Sequence, residues 1–167
     1  MTSVLHNAML RIASMEKQAL ADMTPSVAAD AVAFFPWEQE SFPYFLNWLS
    51  GYRERLSIDD QDDDSAEDIP VEWWTVTIRL VVGHLTQGYK GETALNLYDY
   101  MPAITQYFRT HPYLTSDDYT TPLDMIGPLS LTIPDGTGLR VFTNAGISSQ
   151  QVGTEFTLQI PILINAY

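Results

Sequence analysis

The hydrophobic positions in the first twenty residues recur at the spacing of an α-helix. The positions separated by three or four residues are Leu5, Ala8, Met9, Ile12, Met15 and Ala19. This spacing predicts a helix over residues 2–21 with one apolar face. Arg11, Glu16 and Lys17 fall outside the apolar stripe, so we expect them on the polar face of the helix. Pro25 is expected to end this region, because a proline moves its preceding residue out of the helical conformation.

Alternation of apolar and polar residues predicts the strands. In the clearest run, Val71 to His84, one face carries Trp74, Val76, Ile78, Leu80 and Val82, and the other carries Trp73, Thr75, Thr77, Arg79 and Val81. The first face is expected to be core, and the second is mixed enough to be a surface or an interface. Further strands are predicted over residues 31–35, 44–52, 129–133, 139–144 and 156–164. Pro161 indicates an edge or a bulge in the last of these.

A second helix is predicted over residues 91–109. Its apolar positions, in steps of three and four, are Ala94, Leu97, Met101, Ile104 and Phe108. Pro102 interrupts this pattern and predicts a kink or two abutting helices. The order helix, strands, helix, strands predicts an α+β fold, with a mainly antiparallel sheet and two helices packed on one face. A length of 167 residues favours a single domain spanning 1–167.

Charge excludes several kinds of partner. The chain has 21 Asp and Glu residues against 8 Lys and Arg, a formal net charge of −13, and no cysteine. A nucleic-acid binder needs a cluster of cations, and the basic residues here are scattered, so binding to DNA, RNA or an anionic membrane is not expected. No apolar run reaches the ~18 residues of a membrane span. The absence of cysteine excludes disulfides and thiolate metal sites.

Seven of the acids lie in the ten residues from 59 to 68. They are Asp59, Asp60, Asp62, Asp63, Asp64, Glu67 and Asp68. Mutual repulsion predicts a mobile, solvated loop over residues 59–70, between two strands. The spacing of Asp60, Asp62 and Asp64 matches the start of a calcium loop, but Ser65 and Val71 stand where that loop requires Gly and Glu. We therefore expect no metal and no cofactor, with weak Ca²⁺ or Mg²⁺ binding left as an alternative.

The sequence contains no recognisable catalytic motif. The histidines lie in three different elements and are His6, His84 and His111; we expect each to be at the surface or bonded to a neighbour. Glu38 with Glu40, or Asp117 with Asp118, could form a carboxylate pair, but nothing in the sequence indicates a raised pKa. We predict that the protein is not an enzyme and has no catalytic residues. A carboxylate or metal-dependent enzyme is the alternative.

The order of these features resembles the tail terminator proteins of long-tailed, lambda-like bacteriophages. The matching segments are Ser41–Phe45, Asp59–Asp68, Glu72–Val82, Ala94–Phe108 with its proline, and Gly153–Ile164. The resemblance covers most of the chain and is one of architecture and order rather than of a diagnostic motif. The segment Pro112–Pro128 has no counterpart in the pattern.

This resemblance implies a structural virion protein. Six copies would form a ring that caps the completed tail tube, ends its polymerisation and offers a docking surface to the neck or head-completion (stopper) protein. Its partners would be itself, the tail tube protein and the neck protein, and genome DNA would pass through the bore without specific binding. The location would be the head-proximal end of the tail, and the host cytoplasm during assembly. Another neck component, an adaptor or a stopper, is the alternative.

The candidate interface residues are Trp73, Arg79 and the seven acids of residues 59–68. We expect Arg79 to pair with an acid on a neighbouring subunit or to be solvated on an exposed sheet face. The acidic run is a candidate for lining the bore, where it would repel DNA phosphates.

Overall fold

A computed structural model describes seven stretches of the chain. It covers residues 4–32, 41–57, 69–85, 91–114, 130–132, 139–143 and 150–163. In chain order the elements are α1 (Val4–Ala21), β1 (Asp30–Val32), β2 (Tyr44–Ser57), β3 (Ile69–His84), α2 (Gly91–Thr110), β4 (Ser130–Thr132), β5 (Arg140–Phe142) and β6 (Gln151–Leu163). In the described part of the chain, neither helix is long and apolar enough to cross a membrane.

The described strands form one sheet of six. Its order is β1-β2-β3-β6-β4, and β5 pairs with β6 on the same side as β4. β1 runs parallel to β2, and every other pairing is antiparallel. The fold is therefore α+β with a mainly antiparallel sheet, as the sequence predicted. β4 and β5 do not form a hairpin, because each pairs separately with β6.

A long hairpin of β2 and β3 dominates the sheet. The two strands have 14 and 16 residues, and they pair from Tyr44 opposite Val81 to Ser57 opposite Ile69. At about 3.3 Å per residue, each strand extends for roughly 45–50 Å. Residues 58–68, which join the two strands, lie outside the described residues.

Both helices pack on one face of the sheet, as predicted. The fully buried side chains of this core include Ile12, Met15 and Leu20 from α1, Leu97 and Ile104 from α2, and Val76, Ile78, Leu80, Phe156, Leu158 and Ile160 from the sheet. The predicted inward face of β3 is confirmed. Burial of one such side chain stabilises the fold by about 1.5–3 kcal/mol, so the contact between sheet and helices is the main source of stability.

The polar face of α1 differs from the prediction at one position. Glu16 is fully buried, although the sequence pattern placed it outside the apolar stripe. It lies one turn after Ile12 and one turn before Leu20, both of which are buried. Residues four apart share a helix face, so the position of Glu16 on the helix turns its carboxyl group into the core.

Helix α2 continues through Pro102 as a single helix of 20 residues, not as two abutting helices. The missing N–H of Pro102 would have bonded the carbonyl of Tyr98, and both residues are exposed, so water can bond that carbonyl. Leu97 and Ile104 pack into the core on either side of the proline. Their burial holds the helix together across the lost hydrogen bond.

Strand β6 lies inside the sheet, between β3 and the pair β4 and β5. Pro161 pairs with Trp73 in an unbroken register, so the predicted bulge is absent there. The irregularity between β3 and β6 lies instead between Val81 and Gly83. Pro161 lies two residues past the last residue of β6 that pairs with β4, so no described strand pairs with the outer edge of β6 at this proline.

Candidate functional site

The sheet face opposite the helices carries the alternating residues of β3 that the sequence assigned to a surface or an interface. We call it the second face; on β3 its members are Trp73, Thr75, Thr77, Arg79 and Val81. Tyr44, Leu46 and Val81 form a small buried cluster at one end, with Phe42 and Trp48 packed against it. The rest of this face is polar or half-buried. It therefore differs in chemistry from the apolar face beneath the helices.

Arg79 is the central charged residue of the second face. Its guanidinium donates from Nε and Nη2 to Oε1 of Glu155, at 2.9 and 2.8 Å, and from Nη1 to Oε1 of Gln151, at 3.1 Å. The guanidinium carbon lies 4.0 Å from the ring centroid of Phe142 and 5.1 Å from that of Trp48. These contacts fix the cation by charge, hydrogen bonds and aromatic stacking together.

The carboxylate that pairs with Arg79 belongs to the same chain. We expected either an acid on a neighbouring subunit or full solvation, and instead Arg79 is only 7% exposed and bonded to Glu155. The two residues lie opposite each other on β3 and β6. Facing residues on paired strands are in direct reach, which explains a pairing across 76 positions of sequence.

A chain of hydrogen bonds runs from Arg79 to His84. Oε1 of Gln151 accepts the hydrogen bond from the Arg79 guanidinium, and Nε2 of Gln151 donates to the Tyr44 hydroxyl at 3.2 Å. The Tyr44 oxygen lies 2.8 Å from Nε2 of His84. Which of the two groups donates in this bond depends on the tautomer of His84. All four side chains are buried.

The register shift in β3 brings His84 into this chain. Arg79 and Val81 alternate onto the second face, and unbroken alternation would turn His84 toward the helices. The shift between Val81 and Gly83 places His84 opposite Gln151 on β6 instead. Bulges commonly redirect a side chain in this way. Nδ1 of His84 is buried without a hydrogen-bond partner, and His6 and His111 are both exposed.

Beside this network lies a half-buried strip of the second face. Its members are Trp73, Thr75 and Thr77 on β3 and Thr157 and Gln159 on β6. Thr75 lies opposite Gln159, and Thr77 lies opposite Thr157. Ser50 of β2 accepts a hydrogen bond from Thr77 at 2.8 Å and donates to the Thr75 carbonyl at 3.3 Å. The strip combines one large aromatic ring with short hydroxyl side chains on a rigid sheet. Such a surface suits coverage by another protein.

Several candidate residues lie outside the described residues. They are the seven acids of residues 59–68, the pair Glu38 and Glu40, and the pair Asp117 and Asp118. The predicted mobile loop and the two carboxylate pairs therefore stay predictions. Within the described ranges, no group of three His, Asp or Glu side chains could hold a metal ion.

A buried carboxyl–amide pair links α1 to β2, and the sequence did not reveal it. Nδ2 of Asn47 donates to Oε2 of Glu16 at 2.8 Å, and both side chains are completely buried. Burial raises the pKa of Glu16 to about 8, although the hydrogen bond from Asn47 acts in the opposite direction. Glu16 is therefore mostly protonated at neutral pH, and its carboxyl group is neutral inside the core.

No protein-family model matches the chain, and no curated protein is significantly similar to it.

Proposed function

We propose that the protein is a structural subunit that assembles through the second face of its sheet, and that it acts as the tail terminator of a long-tailed bacteriophage. The observation that carries the first part is the half-buried strip beside the Arg79 network. Trp73 lies at one end of this strip, and Thr75 and Thr77 continue it along β3.

The strip has the physical properties of a protein interface. Trp is among the residues that contribute most to binding energy, and threonine on a strand loses little side-chain freedom when it is covered. The network of Arg79, Glu155 and Gln151 anchors the same strands by buried hydrogen bonds. A rigid surface loses less entropy on association than a flexible one. These properties favour binding of a protein partner over catalysis.

The terminator assignment rests on the resemblance in the order of elements. The α+β fold is the fold class that the resemblance implies. Under this proposal, six copies form a ring on the end of the tail tube. The ring ends tube growth and presents its other surface to the neck or stopper protein, at the head-proximal end of the tail. Genome DNA passes through the bore without specific binding.

Mass photometry and negative-stain imaging of the purified protein test the proposal. We expect rings, or a monomer that becomes a ring on mixing with its tail-tube protein, and we expect shorter, capped tubes. Trp73→Ala should weaken ring formation at least about tenfold in protein concentration. Tyr113→Ala is the matched control, because it removes an aromatic side chain that is 48% exposed just after α2.

Three outcomes contradict parts of the proposal. A strict monomer that leaves tube length unchanged contradicts the terminator function. Equal effects of the Trp73 and Tyr113 substitutions contradict assembly through the second face. A ring that binds neck proteins without capping tubes indicates an adaptor or a stopper instead.

A further inference from the structure

A cleft on the helix side of the molecule is separate from the second face. It has a volume of about 590 Å³ and lies between α2 and the connection from α1 to β1. Its lining residues are Met23, Thr24, Pro25, Val27, Asn96, Tyr98, Asp99, Tyr100 and Pro102. Clefts of this size commonly bind small molecules or single segments of a partner chain.

The wall formed by α2 presents apolar side chains to solvent. Leu95 and Tyr98 are 63% and 61% exposed, and Pro102 is exposed one turn further along. Their spacing of three and four residues places them on one side of α2, while Leu97 and Ile104 pack into the core. A helix with a second, outward apolar stripe indicates a binding surface.

The polar end of the cleft is negatively charged. Burial raises the pKa of Tyr100, a hydrogen bond with Asn96 lowers it, and the charge of Asp99 raises it. The carboxylate of Asp99 therefore lies close enough to act on the Tyr100 hydroxyl. The lining residues that the structure describes include this one acid and no Lys, Arg or His. Together with the net charge of −13, this repels an anionic ligand and attracts a cationic one.

We infer that this cleft receives an extended segment of a partner protein that carries an arginine. The guanidinium lies over the Tyr98 ring and pairs with the Asp99 carboxylate, while the aliphatic part of its side chain contacts Pro25 and Pro102. A planar guanidinium combines stacking on an aromatic face with bidentate bonding to a carboxylate. The aromatic rings of Tyr98 and Tyr100 line the cleft, and aromatic-lined grooves are a recurring binding mode for extended peptide segments.

Nuclear magnetic resonance titration of the ¹⁵N-labelled protein with acetyl-Ala-Arg-Ala-amide tests this site. We expect shifts at the amides of residues 23, 24, 27, 96 and 98–100. Asp99→Asn and Tyr98→Ala should each weaken binding about threefold or more, as expected for a partly exposed ion pair and a cation–π contact. Asp62→Asn is the matched control, because it removes the same charge from the acidic run and should leave the affinity unchanged.

Two further ligands complete the test. Acetyl-Ala-Glu-Ala-amide should cause no shifts in the cleft, and acetyl-arginine-amide should bind more weakly than the tripeptide. Equal affinity for the two arginine ligands would indicate a small-molecule site and would contradict the proposal that the cleft binds a segment of a partner protein. Equal affinity of the Asp99 and Asp62 variants, or shifts that do not concentrate in the cleft, indicates nonspecific attraction to an acidic protein and overturns the site itself.

Discussion

Glu16 makes the stability of the protein depend on pH through a single buried carboxyl group. Its pKa is about 8 in the folded protein, against 4.5 for an ordinary glutamate. Between these values the unfolded chain has lost the proton and the folded protein keeps it, so unfolding releases a proton. The contribution of Glu16 to stability is therefore complete below pH 4.5, falls as pH rises, and is lost above pH 8.

Replacement of Glu16 by glutamine tests this dependence. The amide is neutral at every pH and keeps an oxygen that can accept from Asn47. The free energy of unfolding of Glu16→Gln minus that of the wild type should rise by about 1.4 kcal/mol per pH unit between pH 5.5 and 7.5. Urea denaturation at several pH values measures it.

Asp22→Asn is the control for the glutamine substitution, because Asp22 is an exposed acid just after the same helix. It should keep the pH dependence of the wild type. A difference between Glu16→Gln and the wild type that stays constant across this pH range would show that the folded protein ionises Glu16 normally.

Arg79 acts within its own protomer, so its replacement should reduce the stability of the isolated chain. Arg79→Met keeps an apolar side chain between Trp48 and Phe142 but leaves Glu155 without its cation. We expect a loss of about 2 kcal/mol, below the 3–5 kcal/mol typical of a fully buried pair, because the Glu155 side chain is 21% exposed. Chemical denaturation of the monomeric protein measures this loss.

A double-mutant cycle separates the ion pair from the packing of Arg79. Arg79→Met combined with Glu155→Gln should lose at least about 1 kcal/mol less than the sum of the two single losses. If the stability loss of the double variant equals the sum of the two single losses within about 0.3 kcal/mol, the ion pair between Arg79 and Glu155 is contradicted. A normal stability of Arg79→Met together with a failure to assemble would instead place Arg79 in the contact between subunits.

At the scale of the elements, the closest approach between two central strands depends on Gly153. A Cβ atom at this position would lie 1.8 Å from the carbonyl oxygen of Leu80. Gly153→Ala must therefore move β6 away from β3, and we expect a loss above about 3 kcal/mol, or failure to fold. Denaturation, or soluble yield where the protein does not fold, measures the effect.

Gly51 offers the matched control in the same sheet. A Cβ atom there would meet only the Thr75 side chain, at 3.4 Å, which is an ordinary contact, and the residue is exposed. Gly51→Ala should therefore change the free energy of unfolding by less than about 1 kcal/mol. Equal tolerance of alanine at the two glycines would contradict the strand packing described above.

The sequence predicted the elements well because their signals are local. The alternation in β3 correctly separated the core face from the second face, and the spacing in α2 identified Leu97, Ile104 and Phe108 as core. The parallel pairing of β1 with β2 and the register shift near Gly83 depend on contacts between distant strands. Local patterns do not encode such contacts, so they could not be predicted.

The site was predicted less completely for the same reason. The alternation in β3 predicts that Arg79 lies on the mixed face of the strand, as a candidate for an interface. Its partner Glu155 lies on another strand, 76 residues away, and only the sheet register brings the two together. The charge of Glu16 predicts the polar face of α1, but its angular position, one turn from both Ile12 and Leu20, places it on the buried face. The Glu16 carboxyl group can be buried because it is protonated at neutral pH, and no sequence pattern indicates this protonation state.

At the scale of the whole molecule, the net charge is concentrated in one segment. The seven acids of residues 59–68 account for more than half of the charge of −13, and the rest of the chain has 14 acids against 8 bases. If six copies assemble as proposed, with these segments lining the bore, like charges from all subunits converge on one axis. Their repulsion opposes assembly, and salt screens it.

Ring stability should therefore increase with ionic strength. Between 0.1 and 1 M salt the screening length falls from about 10 to about 3 Å, so the ring should persist to lower protein concentration. Neutralisation of Asp60, Asp62 and Asp64 to asparagine should stabilise the ring at 0.1 M salt and reduce its salt dependence. Mass photometry across a dilution series measures both effects.

The control for this experiment removes the same three charges from another segment, through asparagine at Asp117, Asp118 and Asp124. A bore-lining acidic run predicts a smaller effect for this control, because charge repulsion falls steeply with distance in salt. Equal effects of the two triple variants would show that only the total charge matters. Rings that weaken on neutralisation of residues 60–64 would show that these acids bind a cationic partner surface between subunits, and would exclude their role as a lining that repels DNA.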